Sequence, residues 1–391
     1  LKTQYCDGLR GPMIIYDPQD PFADMYDIDD ETTIITLADW YHIPAAQVQP
    51  PPMAASTLIN GLGRYPGGPA SPLSVITVQQ GKRYRFRLLS MACDPMFTFN
   101  IDNHNMTVIE ADGINHQPVA ADAIPIYAGQ RYSFVLEANQ PIGNYWIRAQ
   151  PDAGQPNLAV LVPSINAAIL HYEGAADEEP VTVQPPFTSM LQETDLHPLV
   201  NPSAPGLPYP GGADEVLSFH MTYDWNAGLF YMNNATFAPP TIPVLLQILS
   251  GNKAAQDLLP SGSVYPLPMN ATIEIIIPPG TAPGASHPFH LHGHAFSVVR
   301  SAGSSVYNYD NPVQRDTVST GSAWNDTVTI RFTTDNPGPW IFHCHIDFHL
   351  AAGLAVVLAE DVPGITNATT EVPGDWDQLC PLYNALPLSE Q

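Results

Sequence analysis

The sequence has few basic residues, few cysteines and no long apolar run. Its 391 residues include 13 Lys and Arg against 38 Asp and Glu, which gives a formal net charge of −25. Such an acidic surface repels the phosphates of nucleic acids and anionic membranes, so we expect neither as a partner. No run approaches the ~20 apolar residues of a membrane-spanning helix, so we expect no membrane segment.

Proline and glycine are abundant, and they predict a chain of many turns. The 42 Pro and 27 Gly follow no period, which excludes collagen and favours an all-β protein. Apolar residues alternate with polar ones at 83–88 and 131–136, as in half-buried strands. Both segments continue a Gly-x-Arg-Tyr-x-Phe-x-Leu pattern that begins at Gly81 and Gly129, and we interpret them as two similar turn-to-strand units. Further strands are predicted at 32–37, 75–78, 273–277, 296–300, 327–334 and 354–358, and short helices at 254–259 and near 345–350.

The domain organisation follows from a break in this pattern. Residues 174–212 are rich in Pro, Ala, Asp and Glu and have little periodicity, so they are predicted to connect two domains. We interpret residues 1–20 as the end of an earlier domain, and residues 21–190 and 191–391 as two β domains. Strands at this spacing predict β-sandwiches or barrels.

Glycosylation signals indicate the compartment. Five Asn-x-Ser/Thr sequons in an acidic, Lys-poor chain predict a secreted, extracellular glycoprotein, although an intracellular chain with unused sequons is the alternative. The sequons begin at Asn105, Asn234, Asn270, Asn325 and Asn367.

Histidine is concentrated in two short segments. Seven of the 13 His lie in His-Pro-Phe-His-Leu-His-Gly-His, from His287 to His294, and in His-Cys-His-Ile-Asp-Phe-His, from His343 to His349. Imidazole and thiolate at this density indicate a metal site. Zinc is the competing metal, but neither a Cys-pair structural site nor a three-ligand catalytic site explains six His around one Cys.

The spacing divides these residues into two sets, because alternate residues of an extended chain share a face. One set has two His and one Cys, the blue-copper arrangement: Cys344 and His287 share a side, and His349, just past a turn, can fold back toward Cys344. The other set has four His and consists of His290, His292, His343 and His345. The peptide bonds on either side of Cys344 join the sets and offer a path for electrons. His294 is left over, and we do not expect it to be a ligand.

The two His-rich motifs closely resemble the C-terminal copper motifs of multicopper oxidases, and in particular those of basidiomycete fungal laccases. The resemblance covers the whole chain and includes residues 3–12, 37–42 and 335–340. It implies cupredoxin-like Greek-key domains and a copper enzyme, which we expect to be a monomer. It also implies one-electron oxidation of phenols or aryl amines, coupled to four-electron reduction of O2 to water.

The resemblance also assigns roles by position. It implies a type 1 copper on His287, Cys344 and His349, a type 2 copper on His290, and a type 3 pair on His292, His343 and His345. Leu354 falls on the axial position of the type 1 copper and cannot ligate; taken alone, it is simply a core Leu. Asp94 matches the acid that accepts the phenolic proton; without the resemblance, it would be a turn residue before Pro95.

Two His-x-His copper motifs of the family have no match in these residues. Copper claims Cys344, and the three remaining Cys cannot all pair with one another. The resemblance implies a Cys6–Cys93 disulfide, with the partner of Cys380 in a missing segment. We therefore expect a laccase that lacks most of its first domain, and we expect residues 1–391 alone to bind at most one blue copper and not to reduce O2.

Two alternatives stay open at this point. One is another multicopper oxidase, acting on metal ions, ascorbate or bilirubin. The other is a non-enzymatic blue-copper protein, which would bind one copper per chain instead of four.

Overall fold

The structure, a computed structural model, describes residues 2–151, 164–249, 262–280, 282–284, 286–321, 325–368 and 374–387. Most of its regular structure is β-strand, which confirms the all-β prediction. The strands predicted from alternation are present with slightly shifted ends. The helix predicted at 254–259 lies outside the described residues. Within the described ranges, no helix is both long and apolar enough to cross a membrane.

The first set of sheets is built from residues 34–172. Its two sheets have the strand orders β2-β1-β4-β9-β6-β7 and β3-β11-β10-β5-β8. The strands are β1 (Ile34–Trp40), β2 (Ser56–Ile59), β3 (Val75–Val78), β4 (Arg83–Ser90), β5 (Phe97–Ile101), β6 (Met106–Ala111), β7 (Ile114–Ala121), β8 (Ile124–Ile126), β9 (Arg131–Glu137), β10 (Asn144–Pro151) and β11 (Ala167–Tyr172).

The second set of sheets follows in residues 215–360. Its sheets have the orders β12-β16-β21-β18-β19, β13-β14 and β15-β23-β22-β17-β20. The strands are β12 (Glu215–Ser218), β13 (Met221–Asp224), β14 (Leu229–Met232), β15 (Val264–Leu267), β16 (Thr272–Ile277), β17 (Pro288–Leu291), β18 (Phe296–Arg300), β19 (Gln314–Arg315), β20 (Thr317–Ser319), β21 (Val328–Thr333), β22 (Gly338–Cys344) and β23 (Ala355–Glu360).

Helices are few and short in the part of the chain that the structure describes. The α-helices are α1 (Val244–Leu249), α2 (Asp347–Ala351), α3 (Val362–Ala368) and α4 (Leu379–Ala385). Single 3-10 turns occur at Lys2–Tyr5, Ala23–Met25, Glu31–Thr33, Ala45–Gln47, Glu193–Asp195 and Gly374–Gln378. Helix α2 is the one predicted near 345–350.

The two copies of the repeated pattern lie side by side. Strands β4 and β9 pair antiparallel, with Phe86 opposite Phe134, and both rings are fully buried. The polar residues between the apolar ones face away from this core, as the alternation predicts. Apolar side chains of both sets of sheets form one continuous core cluster.

Residues 174–212 run between the two sets of sheets and contain one 3-10 turn, Glu193–Asp195, and no strand. The domain boundaries at 1–20, 21–190 and 191–391 stay a prediction.

A buried ion pair also joins the two sets of sheets. Arg315 Nε donates to Asp112 Oδ2 over 2.9 Å, and both side chains are almost completely excluded from solvent.

Candidate metal centre

Strands β17 and β22 bring the two His-rich motifs together. They pair antiparallel, so that His290 lies opposite His343 and Phe289 lies opposite Cys344. Side chains alternate between the faces of a strand, so His343 and Cys344 point to opposite sides of this sheet. The sheet therefore divides the motifs into two groups, one on each side.

The first group consists of His287, Cys344 and His349. The Cys344 sulfur lies 3.8 Å from Nδ1 of His287 and 3.6 Å from Nδ1 of His349. All three donor atoms lie within 4.8 Å of one another. His287 directly precedes β17, and the first turn of α2 returns His349 toward the sulfur.

Burial controls the protonation of this group. It lowers the pKa of His287 to about 4 and that of His349 well below its usual value, so both rings are neutral at neutral pH. Burial also raises the pKa of Cys344; the charge of Asp94 adds to this effect, and a hydrogen bond from the Ile346 backbone opposes it. Because the thiol alone would stay protonated, the thiolate forms only when a cation replaces the proton.

The second group consists of His290, His292, His343 and His345. Each of the four rings lies next to two others, so that together they form a ring-shaped cluster. Their ring centres are 4.8 Å (290 to 292), 5.3 Å (292 to 343), 5.6 Å (343 to 345) and 5.9 Å (290 to 345) apart. The Nε2 atoms of His292 and His343 approach to 3.2 Å.

Backbone acceptors set the orientation of two of these rings. Nδ1 of His343 is 2.9 Å from the carbonyl of Cys344, and Nδ1 of His290 is 2.9 Å from the carbonyl of Asp316. A carbonyl can only accept, so each Nδ1 carries the proton and each Nε2 keeps its lone pair. Loss of hydration, together with the charge repulsion of the neighbouring histidines, lowers the pKa of His292 and His345 to about 4, and that of His343 well below normal. Neutral rings with fixed tautomers are the form that binds metals.

A cavity of about 410 Å³ opens beside the first group. Its wall includes His349, Asp94, Phe348, Trp225 and Phe230. Asp94, which the sequence singled out as a candidate site residue, therefore lines the same cavity as His349. The aromatic residues of the β13–β14 hairpin were not predicted, because aromatic residues in a short strand carry no signal that distinguishes a cavity wall from a core.

Two models of the multicopper oxidase family match the chain, one over residues 31–175 and the other over residues 237–364. The chain belongs to the multicopper oxidase family. The first match covers the first set of sheets, and the second covers both His-rich motifs.

Laccases are among the most similar relatives of this multicopper oxidase. Laccase-2 of Trametes villosa is 60% identical over 395 residues, covering 100% of this chain and 75% of that protein. The laccase of Pycnoporus cinnabarinus is 60% identical over 393 residues, covering 100% of this chain and 74% of that protein.

Solved structures of multicopper oxidases share the fold. Fet3p, a multicopper oxidase that functions in iron import, superposes with a TM-score of 0.81 at 25% identity, covering 98% of this chain and 75% of that chain. The laccase of Botrytis aclada superposes with a TM-score of 0.77 at 26% identity, covering 90% and 68%. The fold is therefore the cupredoxin-like one that the sequence predicted.

The donor atoms of this multicopper oxidase fit copper. One group combines two neutral imidazoles with a buried sulfur, and soft sulfur with imidazole suits copper. The residue ten positions after Cys344 is Leu354, which is fully buried and offers no donor atom. Its carbonyl accepts a hydrogen bond from the Cys344 backbone over 3.1 Å, so the two residues are neighbours.

His294 lies apart from both groups. Its Nε2 is 2.7 Å from a carboxylate oxygen of Glu360, and its ring packs against Phe332 at 5.0 Å between centres. A buried His with a buried carboxylate partner is satisfied without a metal.

A disulfide links Cys6 to Cys93, directly before Asp94. The backbone of Cys93 donates to Asp39 over 2.8 Å and accepts from Asp347 over 2.9 Å. The disulfide thus anchors the N-terminal segment to the cavity wall and to α2.

The fourth cysteine, Cys380, was predicted to pair with a cysteine of a missing segment. Its side chain lies outside the described residues.

Proposed function

We propose that this multicopper oxidase is a laccase. Four phenol or aryl amine molecules each lose one electron and one proton, and one O2 takes up the four electrons and four protons to form two waters. The observation that carries the proposal is the position of His349. It belongs to the His–Cys–His group and also lines an aromatic cavity that contains a carboxylate.

The copper roles are assigned as the sequence predicted them. His287, Cys344 and His349 would hold the type 1 copper, His290 the type 2 copper, and His292, His343 and His345 the type 3 pair. Bound copper would supply the one-electron redox chemistry. The convergence of the three donor atoms in the first group and the close spacing of the four rings in the second group support these assignments.

The cavity would bind the reducing substrate. The ring of Phe230 lies 4.5 Å from the ring of His349, and Tyr223 packs on Phe230 at 4.6 Å. An aromatic substrate would stack among these side chains and expel water. Asp94 would accept the phenolic proton as the electron leaves. Losing both together avoids the high-energy radical cation that would form if the electron left alone.

The covalent chain of β22 would carry the electron onward. His343 and His345 flank Cys344 directly, so a single peptide bond on each side separates the sulfur from a residue of the four-His group. This connection supports assigning substrate oxidation and O2 reduction to different ends of one short path.

The proposed setting is extracellular, and the enzyme would act as a monomer. Asn105, Asn234, Asn270 and Asn325 are all exposed, as glycan attachment requires. The side chain of Asn367 lies outside the described residues. These positions support the secreted glycoprotein that the sequence predicts.

Anaerobic reduction of the copper-loaded protein tests the substrate class. A methoxyphenol should bleach the blue absorption quickly, while ferrous iron at the same concentration should be slower, because an apolar aromatic cavity favours a ring over a hydrated cation. Faster bleaching by ferrous iron would instead favour an iron oxidase.

A further inference from the structure

The repeated Gly-x-Arg-Tyr pattern has two copies with the same backbone but different surroundings. Gly81 and Gly129 precede β4 and β9 and have φ angles of +84° and +81°, a conformation that glycine adopts without strain. A Cβ atom on Gly81 would meet nothing within 4 Å. A Cβ atom on Gly129 would lie 2.7 Å from Cγ and 2.8 Å from Nε2 of His345, and closer still to Cδ2.

The arginines of the two copies differ in the same way. Arg83 forms a solvent-exposed ion pair with Asp27. Arg131 instead crosses to the second set of sheets, where its Nη1 and Nη2 donate to both carboxylate oxygens of Asp316 over 2.6 and 2.7 Å. A two-point contact of this kind fixes direction as well as distance.

Asp316 in turn contacts the four-His group. Its carbonyl accepts from Nδ1 of His290, and its carboxylate oxygen lies 3.4 Å from the same nitrogen. Thr317 contributes a hydroxyl 3.1 Å from that nitrogen and donates to the Asp316 carboxylate over 2.9 Å.

The residue between the glycine and the arginine also reaches across. Nε2 of Gln130 donates to the carbonyl of Thr317 over 3.0 Å, and the amide group is buried. Three consecutive residues of the first set of sheets therefore contact either His345 or the two residues that hold His290, Asp316 and Thr317. In the other copy, Gly81 faces open space and Arg83 lies at the surface.

We propose that Gly129, Gln130 and Arg131 are positioning residues for the four-His group. Gly129 leaves the space that the ring of His345 occupies, and Arg131 holds Asp316, which orients His290. All four rings of this group belong to the second set of sheets. Residues of the first set would nevertheless fix the geometry of the four-His group. This inference rests on the proposed copper role of those four histidines.

Glycine-to-alanine exchange in each copy of the pattern tests whether Gly129 leaves the space that the ring of His345 needs. Gly129→Ala and Gly81→Ala impose the same unfavourable φ, so strain is matched and only the contact with His345 differs. The measurement is Cu(I) titration of the copper-free protein, followed by NMR of isotope-labelled histidine rings. Gly129→Ala should shift the His345 ring signals before copper is added and weaken Cu(I) binding by about 10- to 100-fold, the usual effect of disturbing a ligand's support. Gly81→Ala should leave both unchanged.

Arginine exchange provides a second, independent pair of variants. Arg131→Gln should shift the His290 ring signals and weaken Cu(I) binding, whereas Arg83→Gln should do neither. If Gly129→Ala does not fold, this pair alone decides the matter.

The possible failures are distinct. If Cu(I) does not shift the four ring signals of the unmodified protein, the proposed copper role is wrong. If it shifts them equally in the unmodified protein and in the Gly129 and Arg131 variants, the copper role stands and the positioning role is wrong.

Discussion

Replacing Arg315 by Met should lower the free energy of unfolding by about 3 kcal/mol. Arg315 is almost fully buried between the two sets of sheets, and its Nη1 donates to Glu193 over 2.9 Å and to the Tyr132 hydroxyl over 3.1 Å. Together with the 2.9 Å bond to Asp112, the guanidinium therefore neutralises two carboxylates. Removing one partner of a buried ion pair typically costs about 3–5 kcal/mol, because the other charge is left without compensation.

The backbone around Asp112 places the estimate at the lower end of that range. The Asp112 carboxylate also accepts from the backbone N–H groups of Arg131 over 2.8 Å and Thr317 over 3.2 Å. These donors remain in the variant and continue to stabilise the charge. Met fills much of the space of the arginine stem, so a large cavity is not expected.

Guanidinium chloride unfolding of the copper-free protein, followed by circular dichroism, measures the loss. Arg83→Met is the matched control, since it removes a surface pair with Asp27 and should leave the midpoint nearly unchanged. Adding Asp112→Asn to the Arg315 variant should recover part of the loss, because the uncompensated charge disappears. Equal midpoints for the Arg315 and Arg83 variants, or no recovery in the double variant, would refute the reasoning.

Three further predictions concern the metal centre and the cavity. Asp94→Asn should slow oxidation of phenols by about 100-fold, the low end for a general base, and slow a non-phenolic one-electron donor much less; equal losses in the rates at which the two donors bleach the blue absorption anaerobically would make Asp94 structural. Leu354→Met should lower the type 1 potential in a redox titration, because a thioether stabilises oxidised copper; an unchanged or raised potential would exclude Leu354 as the axial neighbour. Cys6→Ala with Cys93→Ala should lower the free energy of unfolding by about 4–5 kcal/mol, since the bridge spans 87 residues; a loss under about 1 kcal/mol in urea unfolding would contradict this.

Local patterns were sufficient to predict some of the strands, and they also suggested how the histidines divide into two sets. The alternation in 83–88 and 131–136 depends only on which residues face the core, so it predicted β4 and β9. The division of His343, Cys344 and His345 between two faces likewise depends on strand geometry alone, and in the structure the sulfur lies close to His287 and His349.

Contacts between distant segments could not be predicted in this way. Arg131 and Asp316 are 185 residues apart and belong to different sets of sheets, so their pairing depends on how those sets pack. Both copies of the repeat have the same glycine and arginine, and only the packing determines which copy contacts the histidines. The aromatic hairpin at Tyr223 and Trp225 is similar, because its residue types fit a core equally well.

The central claim is that Cys344, with His287 and His349, holds a blue copper. The most direct test is the absorption and EPR spectrum of the copper-loaded protein beside that of the Cys344→Ser variant, with copper per chain determined for both. We expect an intense blue band in the unmodified protein and its complete loss in the variant, because only a thiolate gives that charge transfer to copper. A blue band that persists in Cys344→Ser, or is absent from the copper-loaded unmodified protein, would contradict the claim.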